Sequence, residues 1–281
     1  MKTRKIILTI WFLLAITCSA RAYVDFNDGG YHTIAYTINA HVRVDYDTPG
    51  MGTQLDLVWP GRIELDLRAY EDSYVTILGG EIGLSLIAYQ NAEVIVSGGW
   101  IGSGLGAFDD SHVIFSGGET NYGLAAHGNS QISISGGLIG DEVYAYGNSQ
   151  IDISAGQIYD DLIAYDSSRV TMSGGQVGDE IWAGFAPADY WDMSLITFEG
   201  TNFEINGQSV GYGDFASDYA VPGTDPWGNP CLTGTLTGTL ADASELSNTF
   251  YIFDDADITF VPEPATLLLL LLGAAFLKKR V

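Results

Sequence analysis

Three pairs of adjacent carboxylates stand 19 residues apart: Asp141-Glu142, Asp160-Asp161 and Asp179-Glu180. Carboxylates repeated at one step repel one another unless solvent or a cation screens them. An oxygen-only set of this kind suits Ca²⁺, which takes its ligands from carboxylates and carbonyls. Paired carboxylates can also serve as acid and base in glycan cleavage, provided their environments differ and a cleft holds the sugar. No basic residue lies close in sequence to neutralise an acidic sugar, as a lyase requires. The plainer reading is a solvated acidic corner, and no catalytic residue is assigned.

A second column is aromatic: Tyr70, Tyr89, Phe108, His127, Tyr146 and Tyr165. If it faces outward, Tyr89, Phe108, Tyr146 and Tyr165 form a stripe on which sugar rings could stack. The alternative is a ladder of rings that stabilises only its own stack. Tyr144, Ile163 and Trp182 occupy a neighbouring column that is also expected to face outward. The histidines His32, His41, His112 and His127 share no ligand spacing, so no zinc site follows. No phosphate-binding loop, dinucleotide motif or Ser-His-Asp arrangement is present.

What positions these residues is a repeat. Ser-Gly-Gly or a near copy recurs every 19 residues, at Leu78-Gly79-Gly80, Ser97-Gly98-Gly99, Ser116-Gly117-Gly118, Ser135-Gly136-Gly137, Ser154-Ala155-Gly156 and Ser173-Gly174-Gly175. A fixed period near twenty residues is one structural unit stacked on itself. Apolar columns flank the glycines, including Val75, Val94, Val113, Ile132, Ile151 and Val170, and a pure alanine column from Ala88 to Ala183. Their spacing of two and their β-branched content specify strands.

The fold class expected is therefore all-β: a single-stranded parallel β-helix, a right-handed β-solenoid with 19-residue coils, capped at both ends. Residues 56–186 carry the repeats. Val58, Gly61, Ile63, Leu67 and Ala69 fall one period before the first clear copy. Residues 23–55 fit poorly and are assigned as an N-terminal cap. Residues 187–260 are assigned as irregular coils and a C-terminal β cap, with 212–230 as a long loop.

Both termini carry addresses. Residues 1–22 read as a signal peptide: Lys2, Arg4 and Lys5, an apolar stretch, then Ala20-Arg21-Ala22 before Tyr23. Removing it takes Cys18 and leaves Cys231 alone, which excludes an internal disulfide. At the other end Val261, Pro262, Glu263 and Pro264 precede an apolar run, Ala265 to Leu277, and the basic cluster Lys278, Lys279 and Arg280. That run is short against the ~20 residues of a comfortable membrane span, and the trailing bases favour a cytoplasmic end.

Pro-Glu-Pro, apolar run and basic tail, in that order over residues 261–281, resemble the PEP-CTERM sorting signal of Gram-negative bacteria. The same signal is also catalogued as an ice-binding protein C-terminal domain. The resemblance implies export, transient tethering in the inner membrane, processing by an exosortase-type enzyme, and delivery to the cell surface or an exopolysaccharide matrix.

Between the two addresses the chain holds 34 acids and four bases, Arg43, Arg62, Arg68 and Arg169. That balance excludes nucleic acid as a partner and keeps a repetitive β protein soluble. The functional expectation is a structural or adhesive solenoid with no cofactor other than the candidate Ca²⁺. Extracellular polysaccharide is the candidate partner. The alternatives are a carbohydrate-binding or ice-binding module and, further off, a polysaccharide lyase or hydrolase. For ice binding the outward column Thr76, Ile95, Ile114, Ser133, Asp152 and Thr171 is too mixed to make a regular threonine face.

Overall fold

A computed structural model describes residues 23–184 and 193–263. They form a β-solenoid of parallel coils stacked at strand spacing, ~4.8 Å. Each regular coil has three faces. The first is a four-residue strand such as Tyr74–Ile77, the second a two-residue strand such as Glu81–Ile82, and the third a three-residue strand such as Leu86–Ala88. Every strand pairs in parallel with its copy 19 residues on, for example Val94 with Val113, Ile101 with Thr120 and Ala107 with Ala126. In the middle coils the first and second faces run together through the glycine corner as one long strand, as in Gln131–Ile139.

The apolar columns fill the interior. Val75, Val94, Val113, Ile132, Ile151 and Val170 are all at most 1% exposed, as is the alanine column from Ala88 to Ala183. Burying each large aliphatic contributes roughly 1.5–3 kcal/mol. The third face turns this alanine column and the mostly leucine column two residues before it into the core. The second glycine of each corner has a left-handed backbone, for example Gly118 at φ +90°. A Cβ there would stand 3.0 Å from backbone atoms of Gly98 and Gly99 in the previous coil. Both the conformation and the close approach therefore require glycine.

The opposite corner is a tight turn after the third face. Gln90, Asp109 and Asp166 hold left-handed backbones at φ 57°, 61° and 61°, and Gly128 and Gly147 occupy the same column. Asp109 accepts the Gln90 N–H at 3.1 Å, and Asp166 accepts that of Gly147 at 2.8 Å. Each side chain thus serves a backbone donor one coil away. Beside them Ser111 and Ser130 are fully buried. Ser130 Oγ accepts the His127 N–H and donates to the Ala107 carbonyl, at 3.1 and 3.2 Å.

The stack begins before the regular repeats. Within the segment assigned as an N-terminal cap, Tyr23–Phe26 pairs with His41–Val44, which pairs with Leu67–Ala69. Tyr31–Ile34 pairs with Gln54–Leu57, and Thr37–Ile38 with Arg62–Ile63. All of these pairings are parallel, so residues 23–55 carry coil strands whose connections have irregular lengths. One detail of register differs from the sequence reading. The partner of Ile77 is Leu57, not Val58. The corner 58–60 before Gly61 holds one residue more than the corner before Gly80, which moves the strand by one place and leaves Val58 half-buried.

At the far end Leu195–Ile205 pairs in parallel with Arg169–Met172 and with Asp257–Pro262. It then turns away to pair antiparallel with Pro230–Leu240, which forms a hairpin with Glu245–Ile252. This hairpin covers the end of the core with Leu236, Leu240 and Leu246. Its Asp242 clasps the last glycine corner, accepting the Gly175 N–H at 2.9 Å. The segment 212–230 holds a short 3₁₀ turn, Ala216–Asp218, and the strand Val221–Thr224. The signal peptide 1–22, Pro264, the apolar run 265–277 and the cluster Lys278, Lys279 and Arg280 lie outside the described residues. Among those described, no helix is long and apolar enough to cross a membrane.

Candidate functional site

The acidic pairs occupy the corner between the second and third faces of three successive coils. The third-face pairings that follow it, Val143 with Leu162 and Leu162 with Ile181, hold the corners in step. In the two preceding coils the same column is Gly104 and Gly123, where a Cβ would come within 2.5 Å of the next coil's backbone. The acidic pairs follow directly after these two glycines in the column.

The carboxylates come together. One ligand atom each from Asp141, Glu142 and Asp160 lie within 4.8 Å of one another, and so do those of Asp160, Asp161 and Asp179. Burial, then the hydrogen bond and charge of Glu142 and the charge of Asp160, push Asp141 up to about 6. Burial, aided by Asp160, Glu180 and Asp179, pushes Asp161 up to about 7, against the opposing hydrogen bond from the Glu180 N–H. Asp160 and Glu180 are also raised, chiefly by burial. Among the described residues no ion pair reaches this corner. Asn248 caps the outer column by donating to the carbonyls of Val177 and Asp179, at 3.1 and 2.6 Å. Two oxygen-only sets with a charge deficit have the donor chemistry a hard cation such as Ca²⁺ would use.

Asp66 belongs to the same column and escaped the sequence reading. It stands 19 residues before Ser85, and its carboxylate accepts the Ser85 N–H at 3.2 Å. Here the charge is met by Arg68 at 2.7 Å, and His41 Nδ1 accepts the Asp66 N–H at 3.3 Å. Extending the column one period back would have found it. Arg43 and Arg62 are likewise paired, with Asp25 and Glu81, both at 2.7 Å. Three of the four bases are therefore spent in the first coils, and the acidic corner lies well downstream of them.

The aromatic column forms a continuous ladder. Ring centroids step 5.0 Å from Tyr70 to Tyr89, 5.2 Å to Phe108, 4.6 Å to His127, 4.6 Å to Tyr146 and 5.1 Å to Tyr165. Phe108, His127 and Tyr146 are parallel to within 3°. Inside the ladder each ring has both faces covered by its neighbours, and its edge is what meets solvent. Burial lowers the pKa of His127, which keeps a neutral ring in the stack.

The neighbouring column departs from its expected outward exposure. Ile163 and Trp182 are 5% and 2% exposed. Tyr251 and Phe253 pack on Trp182 with centroids at 4.4 and 6.0 Å, and Trp227 lies on it at 5.2 Å. The segment 212–230 thus folds back over the third face. Sequence reasoning missed this because the partners are more than forty residues away, beyond the repeat.

The described chain ends in the sorting signal. Val261 and Pro262 close the last strand, paired with Glu199 and Gly200, and Phe260 is fully buried. Residues 260–280 match the PEP-CTERM protein-sorting motif. The PEP-CTERM motif implies export, sorting by an exosortase and a membrane-anchored C-terminal region. No curated protein and no solved structure matches this chain. The PEP-CTERM motif is contiguous with the solenoid: its first residues are part of the final coil.

Proposed function

We propose that this chain is a structural or adhesive solenoid of the bacterial cell surface or exopolysaccharide matrix, without enzymatic activity. The observation that carries the reading is the junction at Pro262, where a stacked β rod passes directly into a PEP-CTERM motif. A rod attached at its end projects from the membrane, and release of the tail frees it as a unit. Its −30 charge between the two addresses keeps copies apart and favours a matrix in which cations bridge acidic groups. Uniform coils over 74–183 hold no insertions of the kind that wall a cleft, which supports a scaffold over a catalyst.

The test is fractionation of producing cells. The reading expects the protein in the surface or matrix fraction, released when the matrix polysaccharide is enzymatically digested. Recovery only as free protein in the medium, indifferent to digestion, would refute it.

A further inference from the structure

Trp227 is 72% exposed, yet it is held in place. It lies in a turn built on Asp225, which is 5% exposed and accepts N–H groups from Trp227 at 2.9 Å and Asn229 at 2.8 Å. The Asn229 side chain donates to the same carboxylate at 2.7 Å. Burial works against the Asp225 charge, but these hydrogen bonds prevail and hold its pKa low. One side of the Trp227 ring rests on Trp182, the planes 37° apart. A large indole fixed by a hydrogen-bonded turn and left mostly in water is a recognition surface ready for a ligand.

A carboxylate lies one contact beyond this shelf. Tyr251 packs on Trp182 and donates its hydroxyl to Glu180 at 3.1 Å. Glu180 in turn bonds through its N–H to Asp161. Among the described residues neither carboxylate has a cationic partner. An acidic sugar would be repelled here. A ligand with a flat C–H face and a positive charge satisfies both halves, since an indole face attracts cations as well as C–H groups.

We infer that the shelf of Trp227 on Trp182, flanked by Glu180, binds a glycan bearing free amino groups, such as a de-N-acetylated hexosamine polymer. The choice of a glycan over another cation rests on the matrix reading above. The sugar ring stacks on Trp227, and an ammonium of the polymer faces the carboxylate of Glu180.

The experiment is calorimetric titration of the full chain in detergent with a glucosamine oligomer. It is run in about 0.5 M salt, where the Debye length is roughly 4 Å and diffuse attraction to an acidic protein is screened. Binding should fall about 10-fold in Trp227→Ala and be largely retained in Trp227→Tyr. Glu180→Gln should reduce the preference for the amino sugar over its N-acetylated form. Spermine, with charge but no ring, should compete poorly. Unaltered affinity in Trp227→Ala with an unchanged melting temperature would overturn the inference. Equal binding of the N-acetylated oligomer, or equal competition by spermine, would overturn it as well. If Trp227→Ala binds no oligomer yet still fractionates with the matrix, the matrix reading stands independently. If wild type binds no oligomer but stays in the matrix, the inference alone fails.

Discussion

The carboxylate of Asp161 accepts the backbone N–H of Glu180 at 2.7 Å, from one coil to the next. Asp66 does the same for Ser85 at the other end of the stack. The two differ in charge compensation. Asp66 has Arg68 against it, whereas Asp161 faces Asp160, Glu180 and Asp179.

That difference sets a pH dependence. The folded-state pKa values of Asp161 and Asp141 are raised, to about 7 and about 6. Between the unfolded value near 3.8 and these values the folded chain binds more protons than the unfolded one. These groups therefore add stability as pH falls through 7 toward 4, and their destabilising effect is complete above 7. Asp161→Asn keeps the acceptor and removes the charge. It should raise stability above pH 7 by about 1 kcal/mol after allowance for solvent screening, with little effect near pH 4. Melting curves across this range check it, and equal shifts at both ends would refute it.

The glycine corners separate strain from contact. Gly118→Ala meets both a φ of +90° and backbone atoms at 3.0 Å. Gly207→Ala meets a φ of +76° with nothing within 4 Å. The first should cost about 2–4 kcal/mol and the second about 1 kcal/mol, the backbone cost alone. Denaturant titration of the pair gives the difference directly.

The buried serines are unequal. Ser130→Ala removes an acceptor for His127 and a donor to Ala107, and should cost about 1–2 kcal/mol. Ser149 is equally buried, but its Oγ has no partner, and Ala92 already fills this column one coil before Ser111. Ser149→Ala should be neutral or slightly stabilising. Similar losses at both sites would contradict the account.

In the ladder, His127→Ala removes a ring stacked at 4.6 Å on both sides. It should lower stability by about 1–3 kcal/mol, and His127→Phe should restore it, since stacking rather than charge is what the ring supplies. Thermal unfolding of both variants tests this.

The repeat made the middle of the chain legible because each coil meets only its neighbours, so one column fixes the contacts of the next. The inward columns, the glycine corners and the place of Asp141 to Glu180 all follow from the 19-residue step. The irregular connections of residues 23–55 hid their coils, since pairing survives changes in loop length while periodicity does not. The burial of Trp182 depends on Trp227, Tyr251 and Phe253, whose approach no local pattern encodes. The polar column from Asp66 through Ser85 is written in the same 19-residue step, one period before the first clear repeat.

Under the proposed function a folded rod is sorted through the motif at its C-terminal end. Mass spectrometry of the protein from surface fractions, with and without Glu263→Ala and Pro264→Ala, tests it most directly. Because Pro262 is paired with Gly200 in the last coil, the wild-type surface form should end at or beyond Glu263 and lack the basic cluster. The variant should remain full length in the membrane. A variant that reaches the surface processed as the wild type is, or a wild-type terminus upstream of Asp257, would contradict the account.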